Sequence, residues 1–407
     1  MSLPERIRFT VMAVQKYTDR RRPKILFVYN TMLWYMRPFF IRLSEIYDIK
    51  FIFTNMQLDK RIYGVETPEG DERFAGMKYK VLKRYLANIY RSGIPLGLIK
   101  ELFQEHYDIV FTSLSSVEML LGFLAAKSRG KQVILTSGEW GWQGKSSERT
   151  LAAFFNKLIV PRCDAIAVPG TKHREYFVSL GASPNRVFIM PYASNISIKE
   201  EDYQEAEQLI ERLGIGTKKV ILYVGRLIKQ KGVNYLIEAF SKLREERDDV
   251  ILIIVGEGES RSELELLSEN LNIEDSVYFT GFVANVKLPA YYLVCDICAI
   301  PSITYGKADV WVRAVNDAMC AMKPVIATDA VGAAFDMIKD GENGFVVPEK
   351  DAGALFEAIE KVISNLELAK RMGEESKRII EQGFTYKHMI KGFSKAVESI
   401  SKETKSE

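Results

Sequence analysis

The sequence has little histidine, little cysteine and almost no excess of charge. Its 407 residues include three histidines (His106, His173 and His388) and four cysteines (Cys163, Cys295, Cys298 and Cys320). Four cysteines in a chain this long do not build a disulfide framework, and such usage suits a reducing cytoplasm. Cys295 and Cys298 form a C-x-x-C, but in an apolar run with no second pair and no histidine beside it. Zinc and redox motifs need more context than that, so neither is expected. The 56 basic and 53 acidic residues leave a net charge of +3, too balanced for a protein that works mainly on nucleic acid. No run of about 18 uncharged apolar residues occurs, so no membrane-spanning helix is expected. The first residues lack the apolar core of a secretion signal and read as a basic lead-in ending in Arg20-Arg21-Arg22. The 47% hydrophobic and 27% charged residues describe a folded globular chain, long enough for two or three domains.

What is present is an alternation of short apolar runs and longer helical periods. Strand candidates in the first half are Lys24–Tyr29, Ile49–Thr54, Asp108–Thr112, Gln132–Thr136, Ala165–Pro169 and Val187–Pro191. In the second half they are Lys219–Val224, Val250–Val255, Val277–Gly281, Asp296–Ile300, Pro324–Thr328 and Gly344–Val347. Unbroken apolar runs suit strands covered on both faces of a parallel sheet. Helical periods such as Val233–Leu243 and Ala352–Ile363 lie between them. The expected fold is α/β, with two Rossmann-like doubly wound domains facing a cleft. The boundaries expected are 1–192, 193–385 and a C-terminal helical segment 386–407. A polar stretch at Ser194, Asn195 and Ser197 separates the first two.

The strongest constellation follows the run Val220–Val224. Gly225 permits a sharp turn there. Arg226 and Lys231 lie in the loop before a helix that begins near Val233. Two cations beside a helix N-terminus make a diphosphate cradle; the bland alternative is a solvated loop. Gly256 and Gly258 form a second strand-end turn, where glycines let backbone approach a ligand. Asp309 and Asp317 are eight apart, just over two helical turns, and share a face if one helix covers both. Ionised carboxylates in such a pair can grip sugar or ribose hydroxyls, and a solvated acidic face is again the alternative.

Several motifs in order make residues 219–385 resemble the donor domain of retaining GT-B glycosyltransferases, family 4, the group 1 glycosyl transferases. They are Val224-Gly225-Arg226-Leu227, Lys231-Gly232, Gly256-Glu257-Gly258, Phe279-Thr280-Gly281-Phe282 and Pro289-x-Tyr291-Tyr292. Pro301-Ser302, Ala318-Met319, Pro324-Val325-Ile326-Ala327-Thr328 and Asp340-Gly341-x-Asn343-Gly344 complete the series. The resemblance implies transfer of a sugar, a hexose in the first instance, from a nucleotide-sugar to an acceptor hydroxyl. It implies retention of anomeric configuration and no metal, in keeping with the lack of any D-x-D. Arg226 and Lys231 then neutralise the leaving diphosphate, Asp309 faces the donor sugar and Asp317 grips the ribose. The base lies near Gly281–Val283, with Val283 as its backbone contact. In similar proteins the C-terminal helix returns to the first domain.

Three departures stand out. Both carboxylates of the family's paired motif are aspartates here, each shorter in reach by roughly 1.5 Å, a single C–C bond. Val312 stands where the family has glycine after the aromatic Trp311, and is expected to crowd the sugar. Thr136-Ser137 is followed by Gly138 rather than histidine, then by Glu139, a carboxylate at a strand end facing the cleft and a candidate contact for sugar or acceptor. Lys80, Lys83, Arg84, Tyr85 and Arg91 lie in a basic, aromatic stretch that suits an anionic membrane surface or a lipid-linked glycan acceptor. A cytoplasmic protein, peripheral on the inner face of a membrane, is the corresponding expectation. The alternative is a non-catalytic protein of the same fold that binds a nucleotide-sugar or a partner.

Overall fold

The computed structural model describes residues 22–30, 32–54, 76–82, 96–113, 117–140 and 156–403. Thirteen strands within them form two all-parallel sheets. The first sheet contains β1 (Lys24–Tyr29), β2 (Asp48–Phe53), β3 (Tyr79–Val81), β4 (Ile109–Ser113), β5 (Gln132–Thr136), β6 (Ala165–Val168) and β7 (Val187–Ile189). Its order is β3-β2-β1-β4-β5-β6-β7. The second contains β8 (Lys219–Val224), β9 (Val250–Val255), β10 (Val277–Gly281), β11 (Ile297–Ile300), β12 (Val325–Thr328) and β13 (Gly344–Val347). Its order is β10-β9-β8-β11-β12-β13. In each, strand order reverses beside the first strand, between β1 and β4 and between β8 and β11. Such switch points leave a crevice beyond the carboxyl ends of the strands. The architecture is therefore two Rossmann-like α/β units, as the apolar runs implied.

The buried strands are the legible ones. β9 is covered along its whole length, and its sequence is VILIIV. β3 was not foreseen. It has three partly exposed residues, YKV, at the edge of the first sheet, so no apolar run announces it.

The chain crosses between the sheets twice. The helix Leu366–Gly383 buries Met372 in one core of the second sheet and Ile379 and Ile380 in another. The last helix, Tyr386–Glu403, packs instead on the first sheet. Its Met389, Phe393, Ala396, Val397 and Ile400 join a core with Phe27, Phe39 and Phe111. Phe393 lies 5.3 Å from the ring of Phe111 and 6.0 Å from that of Phe39. Gly392 lets the helix approach closely, because a Cβ there would fall 2.3 Å from the carbonyl oxygen of Ile189. This helix thus fills a face that the first half of the chain leaves apolar. Phe393→Ala should cost about 3–5 kcal/mol, the scale for emptying a fully buried aromatic site. Urea unfolding followed by tryptophan fluorescence measures it; a loss under about 1 kcal/mol would mean that the helix is only loosely docked.

Candidate functional site

The carboxyl ends of β8, β9 and β10 are stitched together by backbone. Gly225 N–H donates to Val255 O at 3.0 Å, and Gly256 N–H to Gly281 O at 2.9 Å. Leu227 N–H donates to Glu257 O at 2.9 Å. This packing accounts for the glycines. Gly256 has φ +145°, and a Cβ there would lie 1.8 Å from Gly225 O; one on Gly258 would lie 2.1 Å from Leu227 O. The two turns are bare where they touch each other.

Arg226 is exposed on this loop, while Lys231 is half-buried at the end of a 3-10 turn, Lys229–Lys231. Gly232 follows with φ 60° and serves as N-cap of the helix Val233–Glu246. A Cβ at Gly232 would meet Pro301 O at 2.1 Å, so the loop also presses on the end of β11. Lys231 Nζ reaches across to Asp309 Oδ2, and Ser302 Oγ donates to the same oxygen at 2.7 Å. Asp309 is only 8% exposed. Its carboxylate is thus bound to the cradle lysine rather than open to the cleft.

The two aspartates do not share a helix face. The helix is short, Arg313–Cys320, and Asp309 precedes it in an irregular segment that bridges to Val331. Asp317 is fully buried, and its Oδ1 accepts from Ser194 Oγ of the segment linking the sheets. Arg313 lies 3.5 Å from its Oδ2. Burial pushes the Asp317 carboxyl above its ordinary value, against the pull of Arg313 and Ser194. Val312 also differs from expectation. It is 7% exposed and packs into the core of the second sheet. The crowding residue is Val310: a Cβ on Gly138 would lie 2.2 Å from Val310 Cγ1. A glycine at 138 and a valine at 310 are complementary across the junction.

Glu139 follows β5, half-exposed; burial pushes the Tyr176 phenol upward, and the charge of Glu139 adds to it. Its neighbour Trp140 was overlooked. Trp140 Nε1 donates to the main-chain oxygen of Asp309 at 2.8 Å, tying the first sheet to the segment that holds Lys231. Further ties are Thr171 N–H to Asp336 Oδ2 at 2.9 Å and Asn316 Nδ2 to Tyr192 O at 3.0 Å. Trp140, His173, Trp311 and Phe335 form an aromatic cluster there, with His173–Trp311 at 6.0 Å and Trp140–Phe335 at 5.5 Å. Two of only four tryptophans flanking the paired motif and a strand end were the available signal. Val283 is half-buried beside exposed Phe282. Beyond it, a cavity of about 750 Å³ lined by Arg37, Ile41, Asn195, Lys199, Asn285 and Pro289 opens between the two units. That is the size of small-molecule sites. Among the described residues no three His, Cys, Asp or Glu side chains cluster as metal ligands do.

The basic, aromatic stretch is only partly visible. Lys83, Arg84, Tyr85 and Arg91 lie outside the described residues. Lys80 is paired with Glu101, which also holds Lys50 at 3.0 Å, so its charge is committed within the fold. No described helix is long and apolar enough to cross a membrane.

Residues 205–379 match the family described as glycosyl transferases group 1. The chain is 30% identical over 192 residues to the alpha-D-kanosaminyltransferase of Streptomyces kanamyceticus, a stretch covering 47% of this chain and 48% of that protein. The chain thus spans about half the length of that relative. It is 26% identical over 312 residues to the GDP-mannose-dependent alpha-(1-6)-phosphatidylinositol monomannoside mannosyltransferase of Mycolicibacterium smegmatis, covering 75% of this chain and 80% of that one. Among solved structures, Anabaena Alr3699/HepE in complex with UDP and glucose superposes with a TM-score of 0.71 at 18% identity, over 93% of this chain and 100% of that one. The sucrose-phosphate synthase of Thermosynechococcus elongatus does so with 0.71 at 18%, over 94% and 100%.

The fit of Gly138 to Val310 is open to a double-mutant cycle. Gly138→Ala should cost about 1–3 kcal/mol by overpacking the junction, and most of that cost should vanish in a Val310→Ala background. Additive effects in urea unfolding would mean that the two residues do not meet in solution.

Proposed function

We propose that this chain, whose residues 205–379 belong to the group 1 glycosyl transferases and whose two-sheet architecture is the GT-B fold, transfers a sugar from a nucleotide-sugar to an acceptor hydroxyl with retention of configuration and without a metal ion. The observation that carries the reading is the loop after β8. It sets Arg226 and Lys231 beside the N-terminus of the helix Val233–Glu246, at the switch point of the second sheet. In the reaction the acceptor oxygen bonds to the anomeric carbon on the face from which the diphosphate departs, so configuration is retained, and the hydroxyl proton passes to the departing diphosphate oxygen. Charge then builds on the departing diphosphate. Two cations and a helix terminus stabilise that charge most when it is fully developed, which lowers the barrier rather than merely tightening binding. They also do the charge-neutralising work that a divalent ion does in metal-dependent transfer.

The closed junction fits this reading. Lys231 meets Asp309 in a nearly dry setting, where the diphosphate must take over as its partner. Asp317 is shut behind Ser194 and Arg313, so a ribose reaches it once the linking segment shifts. The naming of relatives as a kanosaminyltransferase and a mannosyltransferase supports a glycosyl donor here. A GT-B fold found with UDP supports a nucleotide as its carrier.

Arg226→Ala and Lys231→Ala should each lower turnover by about 10²-fold, the scale for losing one charge-stabilising donor. Activity should persist in EDTA. The assay is release of free nucleoside diphosphate from a panel of nucleotide-sugars. Turnover in both variants within threefold of the natural protein would remove the cradle from the mechanism. A strict need for Mg²⁺ or Mn²⁺ would overturn the metal-free step.

A further inference from the structure

The segment after β11 carries a short hairpin that has no part in the machinery described so far. Tyr305 and Lys307 pair as its two sides, and Tyr305 N–H donates to Lys307 O at 3.3 Å. Gly306 makes the tip with φ 74°, a left-handed backbone that favours glycine. The Tyr305 side of the hairpin is 61% exposed, whereas Asp309, just beyond it in the chain, is 8% exposed. The segment therefore runs from open solvent at Tyr305 to the closed junction at Asp309.

A single exposed ring is ordinary on its own. The mounting of this one is not. Gln230, the residue before Lys231, turns its side chain to the hairpin, and its Nε2 donates to Lys307 O at 3.0 Å and to Ala308 O at 3.3 Å. Ile303 N–H donates to Gln230 O at 2.8 Å. On the other side Thr304 N–H donates to the carboxylate of Glu349, beyond the end of β13. The backbone is thus fixed from both sides and bonded directly to the loop of Lys231, while the Tyr305 ring joins none of the hydrophobic cores of the described residues. A tyrosine held in this way offers a large contact face at little cost in conformational entropy. One face of a pyranose ring is lined by C–H bonds, whose slightly positive hydrogens suit the negative face of an aromatic ring. Position decides which sugar that is. A donor with its diphosphate on Lys231 lies at the inner end of this segment, so the sugar that meets Tyr305 is the one arriving from solvent.

We propose that Tyr305 is the platform on which a pyranose ring of the acceptor stacks, so that the acceptor is a glycoside rather than a simple alcohol. The proposal rests on the glycosyl-transfer reading above and names an acceptor class and an acceptor-binding residue for it. The contact is made by the face of the aromatic ring, and the phenolic hydroxyl is not required.

The test uses the full chain, with Tyr305→Ala and Tyr305→Phe as variants and Tyr203→Ala as a control on another exposed aromatic. Release of UDP or GDP is followed from UDP-glucose, UDP-galactose, UDP-N-acetylglucosamine and GDP-mannose. Each donor is tried alone and with methyl α-glucoside, methyl α-galactoside, methyl α-mannoside or glycerol. In the natural protein at least one methyl glycoside should accelerate release more than glycerol does at the same concentration. For that glycoside, kcat/KM in Tyr305→Ala should fall by about tenfold or more, mostly through a higher acceptor KM, the scale for truncating an aromatic anchor. Tyr305→Phe and Tyr203→Ala should stay within about threefold of the natural protein, and the Tm of Tyr305→Ala within about 3 °C. An unchanged acceptor KM in Tyr305→Ala overturns the proposal. So does an equal loss in Tyr305→Phe, since the hydroxyl is then the group that acts, or an equal loss in Tyr203→Ala. A larger fall in Tm overturns it too, because the ring is then a packing group. Release that no methyl glycoside accelerates beyond glycerol overturns it as well. If no donor releases its nucleotide under any of these conditions, the glycosyl-transfer reading itself fails, and this proposal with it.

Discussion

The contact of Lys231 with Asp309 is the interaction on which the rest of the cleft depends. An exposed ion pair contributes little, but this one is nearly out of water, where losing one partner strands the other at a cost of about 3–5 kcal/mol. Lys231 comes from the loop after β8 and Asp309 from the segment after β11, so the pair spans the switch point of the second sheet. Ser302 completes the carboxylate. The main chain of Asp309 is held as well: its N–H donates to Ala330 O, and its carbonyl accepts from Gly332 N–H and from Trp140. One residue thus joins the loop after β8, the end of β12 and the opposite sheet. On the proposed reading, a diphosphate arriving at Lys231 has to displace the carboxylate of a residue whose main chain both domains hold in place.

The remainder of the junction follows from that closure. With Asp309 fixed, Val310 is presented to Gly138, and only a glycine fits opposite it. Asp317, four residues beyond Arg313, is left facing Ser194 rather than water. The last helix secures the same geometry from behind. It is anchored in the first sheet through Phe393 and approached by the second through Phe384, whose ring lies 6.2 Å from Trp311. Closure therefore has a physical cost and a physical reward. Polar groups such as Asp317 and His173 are shut away from water, while two apolar cores and the ion pair are sealed.

Much of this was legible in the sequence, for a simple reason. Strands buried on both faces carry unbroken apolar runs, and β8, β9 and β10 coincide with theirs. β3 was missed because an edge strand with exposed side chains has no such run. The strand-to-helix loop carrying Arg226 and Lys231 was legible because Gly225 ends an apolar run and a helical period opens at Val233. The environments of Asp309 and Asp317 were not legible. Whether a carboxylate faces a cleft or a lysine is decided by residues far away in the chain, here Lys231 and Ser194. The same holds for Val310 and Val312. Sequence adjacency to a motif suggested that Val312 crowds the cleft, but which of the two points inward depends on where the helix Arg313–Cys320 begins. Trp140 and His173 carried no spacing signal, because each acquires its neighbours only when the two sheets meet.

On the proposed reading, Asp309 occupies Lys231 in the place of a diphosphate. Calorimetric titration of the Asp309→Asn protein with UDP and with GDP tests it most directly. Removing the competing charge while keeping the shape should tighten binding of at least one nucleotide by about tenfold, or roughly 1.4 kcal/mol, relative to the natural protein in the same salt. Unchanged or weaker binding of both would show that the carboxylate does not compete with the phosphates, and that Lys231 is not held ready for a diphosphate.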